Sequence, residues 1–591
     1  MCGIIGYVSE GDCCGALFDA LRRLEYRGYD SAGIAVLGEK GFSVCKKQGG
    51  VSNLASFYAA GNTGIGHTRW ATHGAPSDEN AHPHRAGKIA LVHNGIVENY
   101  AALKAELEAD GELFLSETDS EVIAKLISRA YRGDLLRAVH AALGRAEGAY
   151  AVAVIAEDRP GEIVAARYKS PLIAGSGREG LFVCSDIPAV AAGAGYIAKA
   201  EDGEFVRIAD GEICFYDRDL RPVPKVFFRP QADLGAAPSD AGGYCMRREI
   251  GEIPAALRRT FCALEKTDFA PCARALRGAK RIFAVACGTA YHSALAFRDA
   301  AERDVGVPVL CCTAGEFRYR PPLTERGDLV VAVSQSGETA DTLEAVRLAK
   351  ERGGYVVAVT NAGCSSLASL ADFTLVMRAG AEIAVAATKS YNCQLLCLWY
   401  LAAEMLFFKR QKYPDWFSSL QKLPSAAEET ISLFSEIDRI ADSLKDAAAM
   451  YFLGRGADEC TAREGALKVK EIACVFAEGL AAGELKHGPL ALVREGFPVF
   501  MTATQPPLFK KCENALAEVR SRGGFAALFS QSEEALSQSC ADVKVRLPAL
   551  PAALMPCIAV IPLQYFAYRM CLERGLDPDK PKNLAKSVTV E

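Results

Sequence analysis

The sequence contains no Cys-x-x-Cys pair of the kind zinc sites use. Its 21 cysteines are odd in number, and Cys13-Cys14 and Cys311-Cys312 are adjacent, which reads as reduced thiols in a cytosolic compartment rather than a disulfide framework. A surplus of charge is also missing. With Lys+Arg at 67 and Asp+Glu at 72, the net charge is −5, so nothing global favours nucleic acid or an anionic membrane as a partner. No basic run precedes the first apolar residues, and Ser9-Glu10 interrupts them, so no signal peptide is expected. Two apolar stretches invite a membrane reading. Glu404 closes residues 393–403, and Pro548, Pro551, Pro556 and Pro562 interrupt 547–568, where a spanning helix needs about 20 residues. Both are expected to be buried core.

Half the residues are apolar and 24% are charged, the balance of a globular chain able to bury several cores. At about 150 residues per domain, 591 residues suggest about four. The first 220 or so residues carry short β-type runs at 33–37, 89–93, 149–155 and 163–167, with helical periodicity at 100–107 and 120–129. That pattern predicts an α/β or α+β unit with sandwiched strands. Periodicity fades from Phe228 to Gly243 into Pro, Ala, Gly, Ser and Asp, which marks a linker. Beyond it, strand runs at 282–286, 329–333 and 355–359 each end in a Gly- or Ser-bearing turn that opens a helix, the signature of a parallel sheet. The grammar restarts at Met450, with strands near 498–501, 525–529 and 543–547, so two similar α/β units offset by about 170 residues are expected in tandem.

Cys2 follows a removable Met1, which would leave thiol and α-amine on one residue. An amine of pKa about 7.7 to 8.0 can serve as base for its own nucleophile. Arg69, in the run His67 to Gly74, offers a forked guanidinium suited to a carboxylate, with Trp70 as aromatic cover. Asn94-Gly95 reads either as a pair of oxyanion donors or as a hairpin turn. Ser116 to Asp119 supplies a carboxylate for a substrate ammonium or, equally, a helix N-cap with Glu121 beyond. Five of the eight histidines lie between His67 and His93, but no carboxylate or cysteine set at ligand spacing accompanies them, so no metal site is expected.

In the second half, Ser334-Gln335-Ser336-Gly337-Glu338-Thr339 follows a strand and opens a helix, so it is either a phosphate cradle without a P-loop lysine or a helix cap. Cys287-Gly288-Thr289 faces the same sheet edge. Lys468 and Glu471 share a helix face, as a site or as a solvated ion pair. His487 sits in a Gly/Pro turn, where an imidazole transfers protons near neutrality. Lys586 lies in the tail 583–591, either a desolvated Schiff-base lysine or an ordinary exposed one.

Taken together, Cys2-Gly3-Ile4, the 22–33 run RRLEYRGYDSAG, His67 to Gly74, Ala81-His82-Pro83-His84 and 92–98 resemble the N-terminal-nucleophile glutamine amidotransferases. The strings SQSGET, EGALKVKE, GELKHGPLAL and NLAKSVTVE resemble the tandem sugar-isomerase (SIS) domains of the isomerising glutamine:fructose-6-phosphate amidotransferase family. The resemblance implies an α/β fold: an αββα glutaminase sandwich at 1–228, a linker at 229–245, SIS domains at 246–425 and 426–576, and a catalytic tail at 577–591. It implies L-glutamine and D-fructose 6-phosphate as substrates, no cofactor or metal, no nucleic-acid or membrane partner, and a homodimer through the SIS domains.

By the same resemblance, Cys2 forms a glutamyl thioester and Asn94 with Gly95 forms the oxyanion hole. Arg69 and Asp119 bind the two ends of glutamine, Thr72 and His73 line its pocket, Trp70 gates ammonia, and His82 sits in a closing loop. Thr289, Ser334, Gln335, Ser336 and Thr339 bind the sugar phosphate, and Lys586 holds the open-chain sugar as an imine. Glu471 moves the C1–C2 proton with Lys468 beside it, and His487 assists ring opening across the dimer. Because free ammonia would protonate in water, a dry channel walled by Trp70 and the tail is expected. Ala290, Ala384 and Ala387 stand where the family has Ser, Gly and Ser, which leaves a different ketose phosphate open as substrate, and Lys582 replaces an Arg. A sugar-phosphate-binding regulator without catalysis would require none of Cys2, Glu471, His487 and Lys586.

Overall fold

A computed structural model describes residues 2–178, 180–190, 193–229, 243–319 and 324–588. Most of the expected linker, residues 230–242, lies outside the described residues. The chain divides into two units, Met1–Asp240 with Ala585–Glu591, and Ala241–Leu584, so the tail expected as one piece from 577 divides at Ala585.

In the first unit, two seven-stranded antiparallel sheets face each other. One runs Ala194–Lys199, Ile173–Gly177, Gly180–Cys184, Gly3–Ser9, Thr63–Arg69, Ser31–Gly38, Gly41–Gln48. The other runs Pro222–Val223, Glu212–Tyr216, Phe205–Ala209, Ile163–Tyr168, Gly148–Ala156, Ile89–Val97, His84–Ala86. Successive side chains of a strand point to opposite faces, and the cores sort accordingly. Ile4, Ile65, Val92 and Ala153 share the core between the sheets. Ile5 joins Leu17, Leu21 and Leu24 of the helix Cys14–Leu24, while Leu91 joins Val122, Ile123 and Val139 of the helices Ser120–Ala130 and Leu135–Leu143. The result is the four-layered αββα sandwich. Gly64 and Gly66 let the first helix lie close, because a Cβ there would meet Leu17 and Leu21 at 2.7 and 2.9 Å.

The second unit holds two five-stranded parallel sheets of the same order. The first is Val309–Thr313, Ile282–Ala286, Leu329–Val333, Tyr355–Thr360, Phe373–Val376, and the second is Phe476–Ala481, Ala449–Gly454, Pro498–Thr502, Phe525–Ser530, Val543–Arg546. Two helices, Lys389–Arg410 and Met555–Glu573, run through a shared apolar core. Glu404 does not end the first of them. Its carboxylate is buried, accepts Tyr413 O–H at 3.0 Å and is raised by burial. Nor do the prolines break the second. Pro556 lies in its first turn, where its missing N–H costs nothing, and the helix continues through Pro562. Among the described residues this segment, Ala552–Glu573, is one helix long and apolar enough to cross a membrane, and 94% of its 18-residue apolar window is buried inside the protein.

In both sheets the chain order reverses between the first and third strands, the place where open α/β sheets bind ligands. In the first sheet, Gly288 and the Ser334–Thr339 loop emerge there. In the second, the crevice is closed by Asp458, 1% exposed, whose carboxylate accepts Thr504 N–H at 2.7 Å and the Thr504 hydroxyl. Burial raises this carboxyl from 3.8 to about 7, against the hydrogen bonds that lower it. A raised acid pKa means that the folded state binds the proton more tightly, so ionisation costs stability increasingly as pH climbs from about 4 to about 7 and the cost is then constant. Asp458→Asn cannot ionise. Its melting temperature relative to the parent chain should therefore be higher at pH 8 than at pH 4, by an increment of order 2 to 4 kcal/mol in unfolding free energy; equal differences at both pH values would refute the assignment.

Candidate active sites

Cys2 is half-buried beside the end of the strand Thr63–Arg69, where its sulfur accepts the Trp70 N–H at 3.3 Å. Burial raises the thiol, while the Trp70 N–H and Arg69 favour the thiolate and Asp119 opposes it. The Asn94 side-chain amide donates to the Cys2 carbonyl at 2.9 Å. Asn94 and Gly95 lie within the strand Ile89–Val97, opposite Ala151 and Tyr150, so they form no hairpin turn. Gly95 has φ of +146°, and a Cβ there would stand 1.9 Å from the Ala149 carbonyl oxygen. Only glycine fits.

Arg69, 3% exposed, gives its guanidinium to the carbonyls of His73, Gly74 (2.9 Å) and Ala75 (3.4 Å), closing the 73–75 turn on itself. Burial lowers its pKa, while Cys2, Asp30 and Asp119 raise it. Asp119 occupies the N-cap position of Ser120–Ala130 but makes no cap hydrogen bond. Its carboxylate instead accepts the Val97 N–H at 2.8 Å, two residues beyond Gly95. Glu121 takes the Leu115 and Ser116 N–H groups. Thr72 is exposed, His73 packs its ring 5.0 Å from Tyr100, and Trp70 stands edge-on to Tyr29 at 6.1 Å.

His82 lies in the bend before the strand His84–Ala86. It is 3% exposed, its ring 4.0 Å from His67 and 4.4 Å from His84. With His93 these form a buried histidine group: His67 Nε2 meets the His93 carbonyl at 2.9 Å and His93 Nδ1 meets Ser120 Oγ at 2.8 Å. Burial holds His67 at about 3 and lowers the other three, so the rings are neutral packing elements at ordinary pH.

Several supporting residues carried no sequence signal of their own. Asp30 accepts the Ala71 N–H at 2.9 Å, and Arg27 pairs with Asp186 at 2.7 Å, which accounts for the Arg22-to-Gly33 run as scaffolding. Asn80 joins Ala75 to Glu117 by hydrogen bonds of 2.9 to 3.0 Å.

In the second unit, Lys468 is fully buried on the helix Asp458–Ala473, with Glu471 at 2.6 Å, Glu464 at 3.3 Å and the Thr289 hydroxyl at 2.9 Å. It is therefore no solvated surface pair. The Thr289 hydroxyl donates onward to Glu464 at 3.0 Å, and His292 Nδ1 meets the other Glu464 oxygen at 2.7 Å. Burial alone would lower Lys468 and raise Glu464; their mutual attraction reverses both, so the two stay ionised. Glu464 and His292 were not anticipated, although Glu464 at i−4 from Lys468 was readable as a helix pair.

The Ser334 loop lies on the adjacent strand. Ser334 Oγ and Thr339 Oγ1 are 2.9 Å apart, and the Gly337 and Glu338 N–H groups turn to Ser334 and Ser336. Thr339 makes no side-chain cap hydrogen bond, so the cap reading fails there. The Gln335 carbonyl accepts the Asn361 N–H at 3.0 Å. Ala290 is 8% exposed in the first turn of Gly288–Ala300; Ala384 is buried, with its N–H on Glu249 at 3.2 Å. His487 is exposed on the turn Glu484–His487 and joins neither cluster. Lys586 is half-buried in the terminal stretch grouped with the first unit, two residues beyond Leu584.

A half-buried cysteine at position 2 on an αββα sandwich, followed by two parallel sheets with a Ser/Thr loop at the first switch point, defines a glutamine amidotransferase joined to sugar-isomerase domains. Family models agree: a glutamine amidotransferase domain matches residues 67–192 and the SIS domain matches 275–404 and 443–574. The glutamine–fructose-6-phosphate aminotransferases (isomerizing) of Symbiobacterium thermophilum and Caldanaerobacter subterraneus are 44% and 41% identical, each over 100% of both chains. The C-terminal domain of glucosamine-fructose-6-phosphate aminotransferase from Francisella tularensis superposes with a TM-score of 0.56 at 33% identity, covering 58% of this chain and 100% of that one. The chain belongs to the glutamine–fructose-6-phosphate aminotransferase (isomerizing) family.

Gly95→Ala should lower the melting temperature, because the forced clash and the positive φ together cost about 3 kcal/mol or more. A melt within 1 °C or so of the parent's would show that the strand can shift to admit the methyl.

Proposed function

We propose that the chain converts L-glutamine and D-fructose 6-phosphate to L-glutamate and D-glucosamine 6-phosphate in the cytoplasm, as a homodimer and without metal or organic cofactor. The observation that carries this reading is Cys2, just before the strand Gly3–Ser9, with its sulfur on the Trp70 N–H and its carbonyl on the Asn94 amide, beside the end of the strand that carries Arg69.

With Met1 removed, the Cys2 α-amine takes the thiol proton, the sulfur attacks the glutamine amide carbon, and the amine returns that proton to the departing nitrogen as the C–N bond breaks and ammonia leaves. Water then cleaves the thioester to glutamate and regenerates the thiol. Asn94 and the Gly95 N–H stabilise the oxyanion, Arg69 takes the substrate carboxylate, and Asp119 takes its ammonium. Thr72 and His73 line the pocket and Trp70 covers it; His82, buried as it is, supports the pocket from behind. At the sugar, Ser334, Gln335, Ser336 and Thr339 cradle the phosphate. Lys586 condenses with the C2 carbonyl, releasing water, and is displaced by ammonia. Glu471 carries the proton from C1 to C2, with Lys468 neutralising its charge. Thr289 serves this reading less through the phosphate than through Lys468 and Glu464, which already use its hydroxyl. His487, exposed in its own chain, acts in ring opening on a partner copy.

The test is to measure glutamate and glucosamine 6-phosphate from both substrates. The parent chain should form them in equal amounts. Cys2→Ala should lose glutamate formation by at least about 10³-fold and Lys586→Ala should lose amino sugar alone. Glutamate without amino sugar from the parent chain would refute the ketose assignment. Ala290→Ser restores a hydroxyl in the first turn beside the phosphate loop and should lower KM for fructose 6-phosphate by roughly two- to tenfold, the worth of one hydrogen bond. An unchanged KM would place the phosphate elsewhere.

A further inference from the structure

His292 lies on the helix Gly288–Ala300, one turn beyond Thr289, and neither sugar binding nor proton transfer as described above calls for it. Its Nδ1 is 2.7 Å from Glu464 Oε2. Glu464 has no exposed side-chain surface, and neither has Lys468. Each carboxylate oxygen of Glu464 has its own donors: Oε1 takes the Thr289 hydroxyl and the Lys468 ammonium, and Oε2 takes His292. Since Glu464 is held ionised, Nδ1 must carry a proton to make this contact, which fixes the ring's tautomer. The Lys468 ammonium in turn faces three acceptors, Thr289, Glu464 and Glu471.

We propose that His292 is a positioning residue for the isomerisation: by donating to Glu464 Oε2 it shares that carboxylate's charge and keeps Lys468 balanced between Glu464 and Glu471. The physical reason is competition for one cation. Two buried or half-buried carboxylates flank Lys468, and the one with fewer other donors draws it harder, because an ionised oxygen without a partner in a dry site is expensive. Without His292, Glu464 Oε2 is left bare, Lys468 moves toward it, and Glu471 loses the counter-ion that sets its place and basicity. His292 touches no reacting atom. It acts through Glu464 and Lys468 on Glu471.

The inference rests on the isomerase reading of this site, so the parent chain's amino-sugar formation is measured first; its absence would count against that reading and not against the hydrogen bond. Three variants of the full chain then separate packing from hydrogen bonding. An asparagine amide nitrogen reaches the place of Nδ1, a glutamine amide nitrogen reaches that of Nε2, and leucine fills the volume with no donor. His292→Leu and His292→Gln should lower kcat for amino-sugar formation by about ten- to a hundredfold, the loss of one hydrogen bond to a charged group, with KM for fructose 6-phosphate little changed. His292→Asn should stay within about threefold of the parent, since its amide retains the donor. Glutamate release by Cys2 should be unchanged in all three, which reports that the preparations are folded. If His292→Leu fails to fold, the Asn and Gln pair decides. A Gln variant as active as Asn, an Asn variant as slow as Leu, or a fall confined to KM would each overturn the proposal.

Discussion

An ammonium with no exposed surface survives inside a protein only if its charge is answered on every side, and Lys468 is such a group. The helix Asp458–Ala473 answers it with two carboxylates, one turn before and one turn after, at i−4 and i+3. Alone, those carboxylates would repel each other. The third contact, Thr289, comes from the helix that follows the first strand of the other parallel sheet, and so does His292, which meets Glu464. The charged group therefore does more than balance itself: it ties the second sheet's leading helix to the helix Gly288–Ala300 at the first sheet's edge. Removing one member would leave a buried charge unanswered, which typically costs about 3 to 5 kcal/mol. Such a pair adds little net stability over an apolar substitute, so its value lies in geometry.

The first unit uses the same currency of buried polar contacts, but spends it on backbone. Arg69 holds the carbonyls of residues 73–75, Asn94 holds that of Cys2, Asp119 holds the Val97 N–H and Asp30 the Ala71 N–H. These contacts alone hold the backbone around Cys2 and Arg69 in shape, and the Arg69 guanidinium is answered by neutral carbonyls, weaker partners for it than a carboxylate.

Much of this architecture was legible before any coordinates. The apolar runs at 89–93, 149–155, 282–286, 329–333 and 525–529 are all strands, because their side chains bury on one or both faces. The strand Thr63–Arg69 was not legible. Its alternate positions are Gly64 and Gly66, selected by the nearness of a helix and not by hydrophobicity, so period-two patterning is absent from the letters. Phe476–Ala481 escaped for a related reason: a Cβ on Gly479 would stand 2.4 Å from the Arg463 backbone. Proline arithmetic misled in Met555–Glu573, since surrounding apolar packing outweighs one lost backbone hydrogen bond at Pro562. At the sites, residues of distinctive chemistry such as Cys2, Arg69 and Lys468 could be picked out, while Glu464, His292, Asn80 and Asp30 could not. Their importance is a matter of which backbone or side chain they meet, and sequence distance hides that.

One sheet order is repeated, yet its two crevices are lined differently, by the Ser334–Thr339 loop in the first and by Asp458 with Thr504 in the second, for a physical reason. Both parallel sheets open a crevice at the same point of the chain order, and in both the N–H groups after the third strand need acceptors there. In the first sheet, Ser334 and Ser336 satisfy Gly337 and Glu338 with small hydroxyls that leave the edge polar and open. In the second, the Asp458 carboxylate takes the Thr504 N–H and hydroxyl and fills the place where an external anion would sit. An acid buried to that degree pays in desolvation, as its raised pKa reports, and the return is a closed crevice. The second sheet is then free to contribute something else. Its helix brings Lys468 to the Thr289 hydroxyl at the first sheet's edge, so one copy of the fold presents the Ser334–Thr339 loop and the other the Lys468–Glu471 pair.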